Sequence, residues 1–184
     1  NYMGTPAQVY YERGLPKMID LAKSTEFSTA AQNGERGITL ETFQNGDLSG
    51  APDSTQKVHD LNFTGRSWDD FDNTDEAWDL LKAGKEPSSR RWTGFFVAPE
   101  TSSYEVAAEY SGEGDGYRLF VDDKPVFDEW KFATALQNHT TLNLSAGPHK
   151  IVAEEFQDFP IGGRLRIGIM AVSYTHLTLP TILR

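Results

Sequence analysis

The feature that most constrains this chain is a two-residue hydrophobic period that recurs, broken by turn signals, from residue 37 to residue 171. Tyr104, Val106, Ala108 and Tyr110 alternate with Glu105, Ala107 and Glu109, and Leu165, Ile167, Ile169 and Ala171 alternate with Arg164, Arg166, Gly168 and Met170. Successive side chains of an extended strand point to opposite faces, so each pattern predicts a strand with one side buried. Residues 38–43, 93–97, 117–121, 141–144 and 150–156 are further strand candidates. Between them stand Asn45-Gly46-Asp47, Ala98-Pro99-Glu100, Gly114-Asp115-Gly116, Asp122-Asp123-Lys124-Pro125 and Ala146-Gly147-Pro148, all turn formers. Many short strands punctuated in this way predict an all-β, antiparallel sandwich or barrel.

The flanks differ in texture. In residues 1–36, Leu15, Met18, Ile19 and Ala22 fall at helical spacing, and Pro16 suits a first helical turn. One short amphipathic helix is expected there, followed by a polar linker over residues 24–36. Such a helix cannot bury its own apolar face, so it must pack on the strands that follow or on something outside this chain. Residues 65–89 interrupt the strand rhythm with an acidic, aromatic stretch in which residues 76–82 fit a helical turn. A connection of that length in a compact domain is usually functional or mobile. Residues 172–184 follow a finished strand without a turn signal. Their opening string, Val-Ser-Tyr-Thr-His-Leu, matches one reading frame of a common sequencing-library adapter, and the segment is expected to be a non-native tail.

Charge narrows the partners. With 27 acidic against 17 basic residues the net charge is −10, which repels a phosphate backbone, and Arg90-Arg91 and Arg164-Leu165-Arg166 are too small to reverse it. Nucleic acid is not an expected partner. No apolar run approaches the roughly 20 residues of a membrane-spanning helix, so a membrane is not expected either. The chain has no cysteine, which excludes disulfides, thiolate metal sites and cysteine nucleophiles.

Five strings in order then carry a resemblance. They are Leu40-Glu41-Thr42-Phe43 with Asn45-Gly46-Asp47-Leu48-Ser49-Gly50; Arg91-Trp92-Thr93-Gly94 with Val97-Ala98-Pro99-Glu100; Gly116-Tyr117-Arg118-Leu119-Phe120-Val121-Asp122; Val126-Phe127-Asp128-Glu129-Trp130; and Leu144-Ser145-Ala146-Gly147-Pro148-His149-Lys150. Together they resemble the PA14 family, whose fold is a β-sandwich, over residues 37–171. Asn1-Tyr2-Met3-Gly4-Thr5-Pro6 followed by a helix looks like a segment of the C-terminal α/β domain of family 3 glycoside hydrolases. Many β-glucosidases and β-xylosidases of that family carry a PA14 insert shortly after this string. The resemblance implies an accessory module of a secreted β-glycosidase, periplasmic or extracellular, that covers the active-site mouth and contacts an oligosaccharide or β-glycoside substrate. Its other partners would be the remaining domains of the parent enzyme. The aspartate nucleophile and glutamate acid/base of such a retaining enzyme would lie outside this chain, so no catalytic residue is carried over. The alternative is a free-standing carbohydrate-binding or adhesion module.

Within the chain, Trp68, Asp69, Asp70 and Phe71 combine aromatic faces with carboxylates, a composition suited to a sugar subsite. They equally fit a loop anchored by two buried rings with solvated acids around them. Asp115 and Arg118 are further substrate-binding candidates, and Tyr110 and Lys131 stand where they could reach a ligand. Trp92 and Trp130 are expected to be structural, as is His149 after Pro148. Some PA14 adhesins hold calcium through adjacent aspartates before the glycine that corresponds to Gly116. Here those positions read Gly114-Asp115, so no metal and no cofactor is implied. Asn62, Asn138 and Asn143 open N-x-S/T triplets that fit chance matches within or beside strands.

Overall fold

The computed structural model describes residues 10–11, 16–65, 75, 78–79, 87–158, 162–172 and 175–176, with backbone alone at 10–11, 113–115, 132–135 and 175–176. The body is an antiparallel β-sandwich. Its strands are β1 (Tyr10–Tyr11), β2 (Phe27–Ser28), β3 (Ile38–Phe43), β4 (Ser54–Val58), β5 (Asn62–Thr64), β6 (Ser88–Ala98), β7 (Ser102–Val121), β8 (Lys124–Leu144), β9 (Gly147–Gln157), β10 (Arg164–Ala171) and β11 (Thr175–His176). One helix, α1 (Met18–Ser24), precedes β2. The main sheet runs β4-β3-β6-β9-β7-β10-β5, with β2 on β6 and β8 on β7. β1 and β11 form a separate ladder, Tyr10 opposite His176, which takes in two residues of the expected tail.

Two long strands make the layers. Residues 104–111 of β7 pair with β10, and residues 116–121 pair with β9, while β8 follows β7 along both halves. The expected turn at Gly114-Asp115-Gly116 is instead a corner inside one continuous strand. Register shifts between Ser111 and Asp115 and between Asp115 and Tyr117 bend it. Gly116 is required there, because a Cβ would lie 2.6 Å from both the Glu129 carbonyl oxygen and the Phe156 ring. The alternating residues meet between the layers. Ile38, Leu40, Trp92, Tyr104, Val106, Tyr117, Leu119, Ile151, Ala153, Leu165 and Ile167 form the core. β4 eluded the periodicity because its Ser-Thr-Gln-Lys-Val run at the sheet edge has no buried residue.

Helix α1 docks on the sandwich itself. Leu21 and Ala22 are buried, whereas Met18 and Ile19, expected at the centre of the apolar face, are only half-buried. The shift has a cause in β10: Gly168 leaves a notch, and a Cβ added there would stand 2.4 Å from Leu21 Cγ. Pro16 lies before the N-cap Lys17 rather than in the first turn. Past the helix, Thr25 Oγ1 accepts the Ile169 amide at 2.9 Å and donates to the Leu21 carbonyl at 2.9 Å, with the Ile169 carbonyl farther off at 3.3 Å. A side chain thus satisfies the Ile169 amide at the edge of β10, where no further strand pairs among the described residues. The segment expected as a polar linker also contributes β2, with Phe27 in the core and paired to Phe96.

The turns at the far end are tied by His149. Asp122 and Asp123 take positive φ angles of 51° and 62°, as a two-residue hairpin turn requires. The Asp122 carboxylate accepts His149 Nδ1 at 2.6 Å and the Lys150 amide at 2.9 Å, and His149 Nε2 donates to the Ser145 carbonyl at 2.9 Å. With an acceptor at each nitrogen, the ring is best satisfied as the doubly protonated imidazolium. Burial opposes that charge, but the bonds to Asp122 and Ser145 and the Asp122 charge outweigh it and hold the pKa above the ordinary histidine value.

Two expectations follow for stability. Gly168→Ala should destabilise the fold by about 1–3 kcal/mol through crowding. Leu21→Ala should cost about 2–5 kcal/mol. The double variant should lose less than the sum, because the new methyl occupies the vacated space, which a urea double-mutant cycle would measure. Because His149 binds its proton more tightly when folded, its contribution is full below about pH 6.5 and is lost as pH rises through the raised value. Urea midpoints should therefore fall across that window, and Asp122→Asn should flatten the dependence.

Candidate functional site

Strand register builds the site on the solvent face of the larger layer. Glu41 of β3, Arg91 of β6, Glu154 of β9, Arg118 of β7 and Asp128 of β8 stand in one cross-strand row of alternating charge. On the core face the next row sets Arg90 against Glu155. The doublet Glu154-Glu155 breaks the apolar alternation of β9, yet both residues are buried, at 6% and 0% exposure. Buried carboxylates persist only with cationic partners and full hydrogen bonding. The doublet Arg90-Arg91 supplies a cation to each face.

The outer set is closely coupled. Glu154 Oε1 accepts Arg91 Nε at 2.9 Å, and Oε2 accepts Arg118 Nε at 2.9 Å and Nη2 at 2.7 Å. The Arg118 guanidinium lies 4.0 Å over the Trp130 ring and 5.9 Å from the Phe120 ring, and Trp130 meets Phe156 at 4.8 Å with a tilt of 54°. Arg91 stands 5.7 Å from the Phe43 ring. Guanidinium stacking on an indole adds about 0.5–2 kcal/mol, depending on desolvation. Trp130 and Phe156 are half-buried, so aromatic surface stays within reach of solvent. With one face of the indole covered by the Arg118 guanidinium, the aromatic surface left to a ligand is the half-buried remainder of Trp130 and Phe156, beside fixed charged groups.

The inner pair closes one end of the sandwich. Arg90 Nη1 donates to Glu155 Oε2 at 3.0 Å and to Gln157 Oε1 at 2.8 Å, and its guanidinium lies 4.2 Å over the Phe63 ring. Gln157 Nε2 donates to the Gly162 carbonyl at 2.7 Å, and the Gly65 amide donates to Gly163 at 2.8 Å. Gly163 must be glycine, since its φ is 82° and a Cβ would meet Gln157 Nε2 at 2.0 Å.

Of the residues singled out in the sequence, Arg118 stands at the centre of this face. Asp115 lies at the β7 corner opposite Ala133, with its backbone alone described. Trp68, Asp69, Asp70 and Phe71 lie outside the described residues. Tyr110 does not reach a surface: it is 1% exposed and stacks on Tyr117 at 5.2 Å. Lys131 is exposed and pairs with Glu129 at 3.2 Å. Trp92 is buried in the core as expected, whereas Trp130 falls on the opposite face from its neighbour Phe127 and joins the arginine cluster. The amides of the three N-x-S/T triplets are used internally. Asn62 Oδ1 accepts Arg166, Asn143 Oδ1 accepts Ser103, and Asn138 Nδ2 donates to the Tyr117 hydroxyl. Burial pushes the Tyr117 phenol up to about 12. Glu154, Arg91 and Phe156 were not singled out; an acidic doublet in an apolar strand, matched by an arginine doublet in another, is the signal that points to them.

Solved structures share this fold. A β-glucosidase from Kluyveromyces marxianus in complex with glucose aligns over 83% of this chain and 18% of its own, with 17% identity and a TM-score of 0.56. A GH31 α-xylosidase from Xanthomonas citri aligns over 79% of this chain and 15% of its own, with 19% identity and a TM-score of 0.54. A PA14 sugar-binding domain from an RTX adhesin aligns over 77% of this chain and 94% of its own, with 16% identity and a TM-score of 0.52. At these identities the likeness is one of fold. The chain spans less than a fifth of either glycosidase. No curated protein matches it. The family model for the PA14 domain matches residues 34–152, which include Glu41, Arg91, Arg118 and Asp128 of the charged row and end just before Glu154, and the chain belongs to the PA14 domain family.

Proposed function

We propose that this chain is an accessory PA14 module of a secreted family 3 β-glycosidase, and that it contacts carbohydrate through the Trp130–Arg118–Glu154 face. The observation that carries the binding reading is the partly exposed Trp130 platform, its orientation fixed by a guanidinium at 4.0 Å that Glu154 holds in turn. Pyranose rings offer C–H faces to aromatic surfaces and hydroxyls to ionised side chains, and this face presents both. The glycosidase context is supported by the string Asn1-Tyr2-Met3-Gly4-Thr5-Pro6 and by fold likeness to the Kluyveromyces β-glucosidase. In that context Trp68 and Phe71 contribute to the sugar site beyond the cleaved bond. Fold likeness to the adhesin's sugar-binding domain supports a second reading, a carbohydrate-binding module that works without a catalytic partner.

Calorimetric titration of the 184-residue chain with β-linked oligosaccharides tests the shared part of both readings. Binding is expected, and Trp130→Ala should weaken it about tenfold, a loss of about 1.4 kcal/mol that is reasonable for one stacking platform. Full affinity in the folded variant would remove this face from the site. In the full-length parent enzyme, Trp68→Ala with Phe71→Ala should raise KM for oligosaccharides and leave kcat unchanged. Unchanged kinetics on every oligosaccharide tested would sink the subsite role.

A further inference from the structure

Among the described residues, β8 pairs only with β7, and none of them forms a ladder on its outer edge. The two ends of that edge are built differently. From Lys124 to Lys131 it carries Lys124, Pro125, Asp128, Glu129 and Lys131, the residues that protect sheet edges from pairing with another chain. From Leu136 to Leu144 the sequence is Leu-Gln-Asn-His-Thr-Thr-Leu-Asn-Leu, without Asp, Glu, Lys, Arg, Pro or Gly. An unguarded stretch of that length, about 30 Å, offers a row of main-chain donors and acceptors to a further strand.

The side chains of this stretch are already engaged within the chain, inward to β7. His139 Nδ1 and Thr141 Oγ1 meet Glu105 at 2.8 Å and 3.0 Å, Ser103 Oγ donates to Asn143 at 2.7 Å, and Asn138 donates to Tyr117 at 2.7 Å. These contacts all run to β7, and none of them uses the outer main chain of β8. The stretch is also complementary to itself. In an antiparallel pair centred on Thr140, Gln137 faces Asn143 of a second copy, Asn138 faces Leu142, His139 faces Thr141, Leu136 faces Leu144 and Thr140 faces itself. Amide–amide, Thr–Thr and Leu–Leu pairs across strands are favourable, and no like charges oppose one another. The alternation is kept as well, since the exposed residues 137, 139, 141 and 143 continue onto the exposed face of the partner.

We infer that the Leu136–Leu144 edge of β8 is a self-pairing interface, through which two copies of this chain join by a two-fold axis at Thr140 into one continuous sheet. The contact is isologous, so it closes at two and leaves no edge of the same kind exposed. Each copy carries a charge of −10, so association should strengthen with salt as the long-range repulsion is screened.

Analytical ultracentrifugation of the full chain over a wide concentration range tests this. A reversible shift from 20.6 kDa to about twice that mass is expected, tightening with salt. His139→Lys with Thr141→Lys places lysines opposite lysines at the interface, while each stays beside Glu105 of its own chain. This variant should remain a monomer at all concentrations and melt like the dilute wild type. Hydrogen exchange on the wild type gives an independent readout, since amides within residues 136–144 should gain protection only as concentration rises. A monomer throughout, a dimer that survives the lysine pair, open-ended assembly, or exchange at these amides that ignores concentration would each overturn the proposal.

Discussion

The structure depends on one strand being hydrogen-bonded into two layers at once. β7 gives its first half to β10 and its second half to β9, and the bend between them is possible because Gly116 lets the Glu129 backbone and the Phe156 ring come close. A sandwich whose layers were joined only by loops could slide or splay. Here relative movement of the layers would have to break a continuous main chain or strip its ladder. The same bend carries Arg118 and, through the hairpin, Trp130 to one side of the sheet, so the candidate site inherits its geometry from the corner.

The site also shows how charge can be placed inside a sheet. Two adjacent glutamates of β9 point to opposite faces, and each finds arginine on a neighbouring strand. Removing Arg90 from its buried pair with Glu155 costs about 3–5 kcal/mol, whereas Glu154 keeps Arg118 when Arg91 is removed. The pairs therefore act as register pins. A one-residue slip of β6 against β9 would leave one of the two arginines opposite Ala153 or Phe156 instead of a carboxylate and turn Trp92 out of the core.

Much of this was legible in the sequence, and what was missed has physical causes. Strands with one buried face, such as residues 38–43, announced themselves through alternation, and β3 has the expected bounds. β4 is an edge strand with no buried residue, so hydrophobicity carried no trace of it. Glycines at 114 and 116 read as a turn because single-sequence signals do not distinguish a reversal from a bend that a neighbouring backbone presses close. Trp92 and Trp130 look alike in composition. Strand parity separates them, since Trp130 stands an odd number of positions from the buried Phe127 and Trp92 shares a face with Leu40. Arg118 could be named as a candidate from its place on a strand, but Glu154, which aims it, lies on another strand and is joined to it only by the fold.

The bond between Thr25 and Ile169 has a topological consequence. Thr25 stands where the chain enters the sandwich and Ile169 near where its last long strand ends, and the two touch at 2.9 Å. A unit whose way in and way out share one point has almost no footprint on the polypeptide that carries it. It can be spliced into a surface loop of a host without spreading that loop, and deleted without leaving a gap to bridge. Such geometry favours transfer between unrelated carriers as a cassette, because the host's own fold meets only a pair of neighbouring peptide ends.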